Sequence, residues 1–242
     1  MKLIWTYSPK LNRSKNISDD DMLKLFYHSI ECGKKFHPTC VYTDTPEKFI
    51  GKVDEVLQLP KDFEIYFLDD IKFYVIENEL DNYTLIDGDL FIDSPIENVS
   101  PNIGVEIYVP HKRGIYYEKY NKVLESEGVE DVIPYWKSSL GYFNLGLIQI
   151  NNFKTSEFTS DYKKLKAFYK NKIEDIYFNR MDECVEISLC TYFFTLFNLH
   201  NKNIYRQIRK DSYIHLSGPT DTSKIDFIKT KLTKKGEIKK II

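Results

Sequence analysis

Residues 85–93 read LIDGDLFID, a short unbroken apolar run that stops on two carboxylates, Asp87 and Asp89, around Gly88. The run predicts a strand buried in a core. Its end is the constraint, because an isolated carboxylate taken out of water is heavily penalised unless a cation or hydrogen-bond donors replace the lost hydration. A chain carrying this stretch must fold so that something positive meets the two acids.

The elements around it follow from periodicity and caps. KLIWTY (2–7) and TCVYTD (39–44) predict strands, the second stopping on Asp44. Between them Ser18 is a candidate N-cap, followed by Asp19, Asp20 and Asp21 in the first turn of a helix that ends near Gly33. Residues 53–59 read as a short piece, extended or helical, ending at Pro60, and 69–80 as a helix leading into the acidic strand. Beyond residue 100, strands are expected over 103–109 and 142–152, and helices over 114–128, 160–173 and 181–201. Strands alternating with helices give an α/β fold with a mixed, mostly parallel central sheet flanked by helices. With 242 residues and no repeat or Gly/Ser linker, one domain is expected over 1–223, followed by a basic tail over 224–242.

Bulk properties narrow the class. A hydrophobic content of 42%, with 18 Tyr and 16 Phe, supports a packed core over disorder. A formal net charge of −2 argues against a global nucleic-acid footprint and leaves only local basic patches. Cys32, Cys40, Cys184 and Cys190 show no CxxC spacing and read as reduced thiols rather than a disulfide framework or zinc knuckle. The amino-terminal apolar stretch before Pro9 is too short for a signal core, and no segment approaches a membrane span, so a soluble, cytoplasmic protein is expected.

In an open α/β sheet, ligands bind beyond the carboxyl ends of the strands. Asp87 and Asp89 lie at such an end, and an oxygen-rich pair suits Mg²⁺ or Mn²⁺ bridging a diphosphate. Asp-Gly-Asp is equally ordinary turn chemistry. An EF-hand would need an oxygen ligand at Phe91 and a glycine at Ile92. A phosphatase-type aspartyl nucleophile would be followed by a small hydroxyl residue where this chain has LFID.

The order KLIWTY, VYTD, DDIKFYVIENEL, NYTLIDGDLFI, YFNLGLIQINN, an acidic helix start and YIHLSGP resembles the GT-A-type nucleotide-sugar glycosyltransferases. It is most similar to the glycogenin-like and lipopolysaccharide galactosyltransferase-like group. The resemblance runs over roughly residues 2 to 220 and rests on motif order rather than identity. It implies a nucleoside-diphosphate sugar donor, with UDP the expected nucleotide, and an Mn²⁺ or Mg²⁺ cofactor. It further implies a metal site of Asp87, Asp89 and His215, with Asp89 the direct ligand and Asp87 bridging ribose and metal. Lys72 matches a basic position facing the donor, Gly218 and Lys224 positions that contact the diphosphate, and Asn144 in FNLG a residue that binds donor-sugar hydroxyls. Lys224 stands farther from His215 than the family pattern has it. Thr6, Tyr7 and Asp44 fall where relatives hold the base and ribose, and Asp182, Glu183 and Glu186 where relatives place an acid near the acceptor.

The residues themselves leave other readings open. Glu183 and Glu186 share a helix face but are also ordinary dipole partners of a first turn. Tyr7 is equally a core aromatic, and His215 a half-buried surface histidine. An inverting enzyme would use Glu183 or Glu186 as general base, whereas a retaining one, as in the most similar group, needs none. A Mg²⁺-dependent phosphoryl-transfer or hydrolytic enzyme, or a noncatalytic nucleotide-binding protein of the same fold, would use the same Asp pair. The tail from Lys224 to Ile242 holds seven lysines against Asp226 and Glu237. It is either a solvated end or an arm for a peripheral contact with anionic membrane or DNA. The acceptor is then a glycan, a lipid-linked saccharide or a modified nucleic-acid base.

Overall fold

The computed structural model describes residues 1–11, 18–67, 69–80, 82–99, 102–109, 115–137, 141–172 and 183–215. Its strands are β1 (Lys2–Tyr7), β2 (Thr39–Thr43), β3 (Glu55–Gln58), β4 (Tyr83–Ile86), β5 (Leu90–Ile92), β6 (Ile103–Val105), β7 (Tyr108–Val109), β8 (Tyr142–Phe143), β9 (Leu147–Ile150), β10 (Tyr205–Gln207) and β11 (Tyr213–His215). The helices are α1 (Asp19–Lys34), α2 (Asp70–Asn78), α3 (Ile115–Ser126), α4 (Thr155–Lys172) and α5 (Glu183–His200).

Seven strands form one sheet in the order β10-β6-β9-β4-β1-β2-β3. β3, β2, β1 and β4 run parallel, β9 is antiparallel to both β4 and β6, and β10 returns parallel to β6. The fold is therefore mixed α/β with a mainly parallel sheet. Every residue of β2, β4 and β9 is buried, so helices must cover both faces. Because side chains alternate along a strand, Ile4 joins the cluster built from Phe73 of α2, Phe158 and Tyr162 of α4 and Phe193 and Phe194 of α5. Leu3, Trp5 and Tyr7 face the other way, toward Ile30 of α1, Phe49, and Leu90 and Ile92 of β5.

Helix α1 begins as expected, with the Ser18 hydroxyl accepting the Asp21 N–H at 3.1 Å. It runs one residue past Gly33, which is buried because a side chain there would collide with Trp5 and Leu3. Residues 55–58 settle as a strand. Helix α4 starts at Thr155 rather than near 160, and β10 is an exposed edge strand that apolar periodicity does not reveal.

Two expected long strands each break in two. Residues 103–109 divide into β6, in the main sheet, and β7, which pairs with β8. Residues 142–152 divide into β8 and β9. At the second break the Asn144 side-chain oxygen accepts the Gly146 N–H at 2.8 Å, a local turn that competes with the ladder. The breaks face one another, since Glu106 N–H donates to the Leu147 carbonyl and Asn144 N–H to the Ile107 carbonyl.

Among the described residues Cys32, Cys40 and Cys190 are buried thiols outside any disulfide. No helix there is long and apolar enough to cross a membrane. The basic tail lies outside the described residues.

Candidate metal centre

The order β3-β2-β1-β4 reverses its direction of growth between β1 and β4, and a crevice beyond the carboxyl ends of two such strands is where open α/β sheets bind ligands. Strand β4 ends there on Asp87. The Asp87 N–H donates to the Gly146 carbonyl at 2.8 Å and its carbonyl accepts from Leu90 N–H at 3.1 Å, so the turn carrying Asp87, Gly88 and Asp89 is fixed at both ends. Gly88 has an ordinary backbone conformation, and its lack of a side chain is needed for another reason: a Cβ would run into the Phe26 ring of α1. Close helix approach, rather than backbone freedom, selects glycine here. Below the turn, Trp5 Nε1 donates to the Ser29 hydroxyl at 2.8 Å, and that hydroxyl donates to the Leu90 carbonyl, tying β1 and α1 to the start of β5.

His215 arrives through the pairing of β11 with β5, antiparallel and in a register that sets His215 opposite Leu90. Ligand atoms of Asp87, Asp89 and His215 all lie within 4.8 Å of one another. The imidazole Nε2 stands 3.3 Å from Asp89 Oδ1, and Nδ1 lies 2.8 Å from both carboxylate oxygens of Glu106. Gly146 makes room, since a Cβ there would overlap the imidazole and stand 2.8 Å from Glu106 Oε2.

On the opposite side, the buried Lys72 ammonium lies 2.6 Å from Asp87 Oδ1 and 2.9 Å from Asp69 Oδ1, and donates to the Leu145 carbonyl at 3.1 Å. Three acceptors use the three hydrogens of the ammonium. Helix α2 is held in position by Asp70, whose carboxylate accepts the Phe67 N–H at 2.7 Å and pairs with Lys166 of α4 at 2.8 Å.

These contacts set the protonation states. Burial alone would lower the Lys72 pKa, but Asp69 and Asp87 outweigh it and hold the ammonium well above its usual range. Burial raises the carboxyl of Asp69, with Lys72 opposing it. For His215, burial is again outweighed, and Asp89 and Glu106 push it up to about 10. Four carboxyl groups, Asp69, Asp87, Asp89 and Glu106, face one ammonium, Lys72, and one imidazole, His215, an excess of acidic groups. That excess and a donor set of two carboxylates and one imidazole fit a divalent cation of the Mn²⁺ or Mg²⁺ type.

No protein-family model matches this chain, and no curated protein matches it in sequence. Two of the solved structures that align with it are glycosyltransferases. One is the apo form of mouse xyloside xylosyltransferase 1, with a TM-score of 0.43 and 10% identity over 86% of this chain and 85% of that one. The other is the glycosyltransferase GlyE of Streptococcus pneumoniae TIGR4, with a TM-score of 0.42 and 11% identity over 87% of this chain and 45% of that one. Likeness at this level assigns no family. The chemistry of the centre rests on its own geometry.

The remaining candidates divide by location. Asn144 sits at the β8–β9 break, half-buried, with its oxygen engaged by the backbone. Asp44 follows β2; its Oδ2 accepts from the Ser8 hydroxyl at 3.0 Å and meets Lys10 at 3.4 Å, while its buried Oδ1 has no hydrogen-bond partner among the described residues. Tyr7 is buried, its ring edge-on to Phe26 at 5.0 Å and Phe49 at 5.1 Å, and Thr6 is half-buried on β1. Glu183 and Glu186 lie in the first turn of α5, with side chains outside the described residues. Asp182, Gly218 and Lys224 lie outside them altogether. A cavity of about 260 Å³ lined by Ser94, Glu97, Ile208, Arg209 and Asp211 includes none of the candidate ligands. Glu106 is the residue that the sequence reading passed over. Its signal was a lone carboxylate inside the apolar stretch IGVEIYV.

Proposed function

We propose that this chain is a metal-dependent glycosyltransferase that moves a sugar from a nucleoside-diphosphate sugar, with UDP the expected nucleotide, to a glycan or lipid-linked acceptor. One observation carries the reading: Asp87, Asp89 and His215 meet within 4.8 Å at the carboxyl end of β4, where the strand order reverses. Asp87, Asp89 and His215 would hold Mn²⁺ or Mg²⁺ there, and the ion would neutralise negative charge on the leaving diphosphate.

The chain's own groups do the rest. Lys72 fixes the Asp87 carboxylate and, through the Leu145 carbonyl, the FNLG turn beside it. Asn144, with its oxygen held by Gly146 N–H, presents its amide N–H groups to a sugar hydroxyl. The unpartnered Asp44 Oδ1 accepts from a base N–H or a ribose hydroxyl. Glu183 or Glu186 serves as general base if the anomeric centre inverts, and retention requires neither.

The test is a panel of UDP-, GDP-, CDP- and ADP-sugars with Mn²⁺, scoring release of nucleoside diphosphate. One donor should turn over, and Asp89→Asn should lower the rate roughly 100- to 1000-fold, the size of one lost electrostatic contact to a charged transition state. Inorganic phosphate as the product would make the protein a phosphoryl-transfer or hydrolytic enzyme. Nucleotide binding without turnover of any donor would make it a noncatalytic binding protein.

A further inference from the structure

Glu106 is 7% exposed and its carboxylate is buried at the end of a strand, a costly place for a charge without a partner. Among the described residues that partner is His215, whose Nδ1 lies 2.8 Å from each carboxylate oxygen. The backbone of Glu106 is pinned as well, its N–H donating to the Leu147 carbonyl at 3.0 Å. Across the pair lies Gly146, where any side chain would displace both groups. Three segments distant in sequence, the end of β6, the turn before β9 and β11, thus enclose one imidazole–carboxylate contact.

That contact has a directional consequence. A carboxylate can only accept, so the nitrogen facing it carries the proton. The other nitrogen, Nε2, is then the one turned to the acids, 3.3 Å from Asp89 Oδ1. Metal-binding histidines are commonly oriented through such an outer carboxylate, which fixes the tautomer and raises the basicity of the ligating nitrogen.

We infer that Glu106 is a positioning residue of the metal centre, holding the His215 imidazole as the Nδ1–H tautomer with Nε2 directed at the cation site shared with Asp87 and Asp89. The inference rests on the metal-site reading proposed above. It adds a residue outside the Asp-x-Asp and histidine motifs and gives it a role through His215 rather than on the substrate.

The experiment is Mn²⁺ titration of the full chain at fixed pH, with free Mn²⁺ read by electron paramagnetic resonance and folding checked by circular dichroism. Glu106→Ala should weaken Mn²⁺ binding roughly 10- to 100-fold, the usual scale for an outer-shell partner. Glu106→Gln keeps an acceptor for Nδ1–H and should recover part of that loss, and it carries the test if the alanine variant does not fold. In a His215→Ala background, neither change at position 106 should weaken binding further. Unchanged affinity in both Glu106 variants, or an equal loss with and without His215, overturns the inference while leaving the metal site standing. Unchanged affinity in His215→Ala overturns the metal-site reading itself, and the inference with it.

Discussion

The two acids of the Asp-Gly-Asp turn are held in opposite ways. Asp87 is gripped from inside by Lys72, a buried cation that two carboxylates keep charged against the cost of burial. Asp89 is met from the other side by His215, whose positive charge exists through a proton that Asp89 and Glu106 favour and that a metal ion would replace. On the proposed metal-site reading, one arm is scaffold and the other is exchangeable. The comparison teaches that a turn can present two identical side chains with different duties: a carboxylate locked in direction and, on the metal-site reading proposed above, a carboxylate whose partner would give way to a cation.

The comparison breaks most visibly at Lys72. Lys72→Met keeps the stem but leaves Asp69 and Asp87 without their buried counter-charge, and removing one partner of a buried pair costs about 3–5 kcal/mol. Urea denaturation should show that loss. A loss near zero would mean that Asp69 is neutral in the folded protein and that the arm is not a fixed charge. The next effect belongs to the other arm. Gly146→Ala places a methyl group against His215 and Glu106, and overpacking of this kind costs about 2 kcal/mol. Since the imidazole must move, Mn²⁺ affinity should fall together with stability. A stability loss with Mn²⁺ affinity intact would detach His215 from the cation.

The unequal legibility of the two arms has a physical cause. The apolar run ending on Asp87 and Asp89 announces a buried strand with charges at its tip, because burial and strand length are local properties. The covering of the sheet was readable for the same reason, from alternating strands and helices. What ties the arms together is not local. His215 reaches Asp89 through the β11–β5 register, and Glu106 meets His215 only because β6 stops at Val105 opposite the Asn144–Gly146 turn. Read alone, IGVEIYV and YFNLGLIQINN are continuous strands, since a turn closed by one asparagine side chain leaves no periodic trace. A lone helical lysine likewise reads as solvated or donor-facing. Lys72 is buried because Asp69, three residues back at the residue preceding α2, and Asp87, at the end of β4, supply its acceptors.

The last comparison isolates the His215 arm by pH. In the metal-free protein, His215 has its pKa raised from 6.5 to about 10, so its pairing with Asp89 and Glu106 stabilises the fold fully below pH 6.5. As pH rises above that value, the unfolded chain loses the proton first and the contribution declines, until it is gone once pH passes about 10. The difference in unfolding free energy between wild type and His215→Gln should therefore be largest at pH 6 and shrink steadily as pH rises to 10.5. Titrations elsewhere in the chain are common to both proteins and cancel. The matching difference for Lys72→Met should stay flat up to about pH 10, because the lysine carries its proton in both the folded and the unfolded chain below 10.5. A His215 gap that stays level or widens with pH would mean that the imidazole is neutral between its two carboxylates, and the distinction between a fixed arm and an exchangeable one would fall.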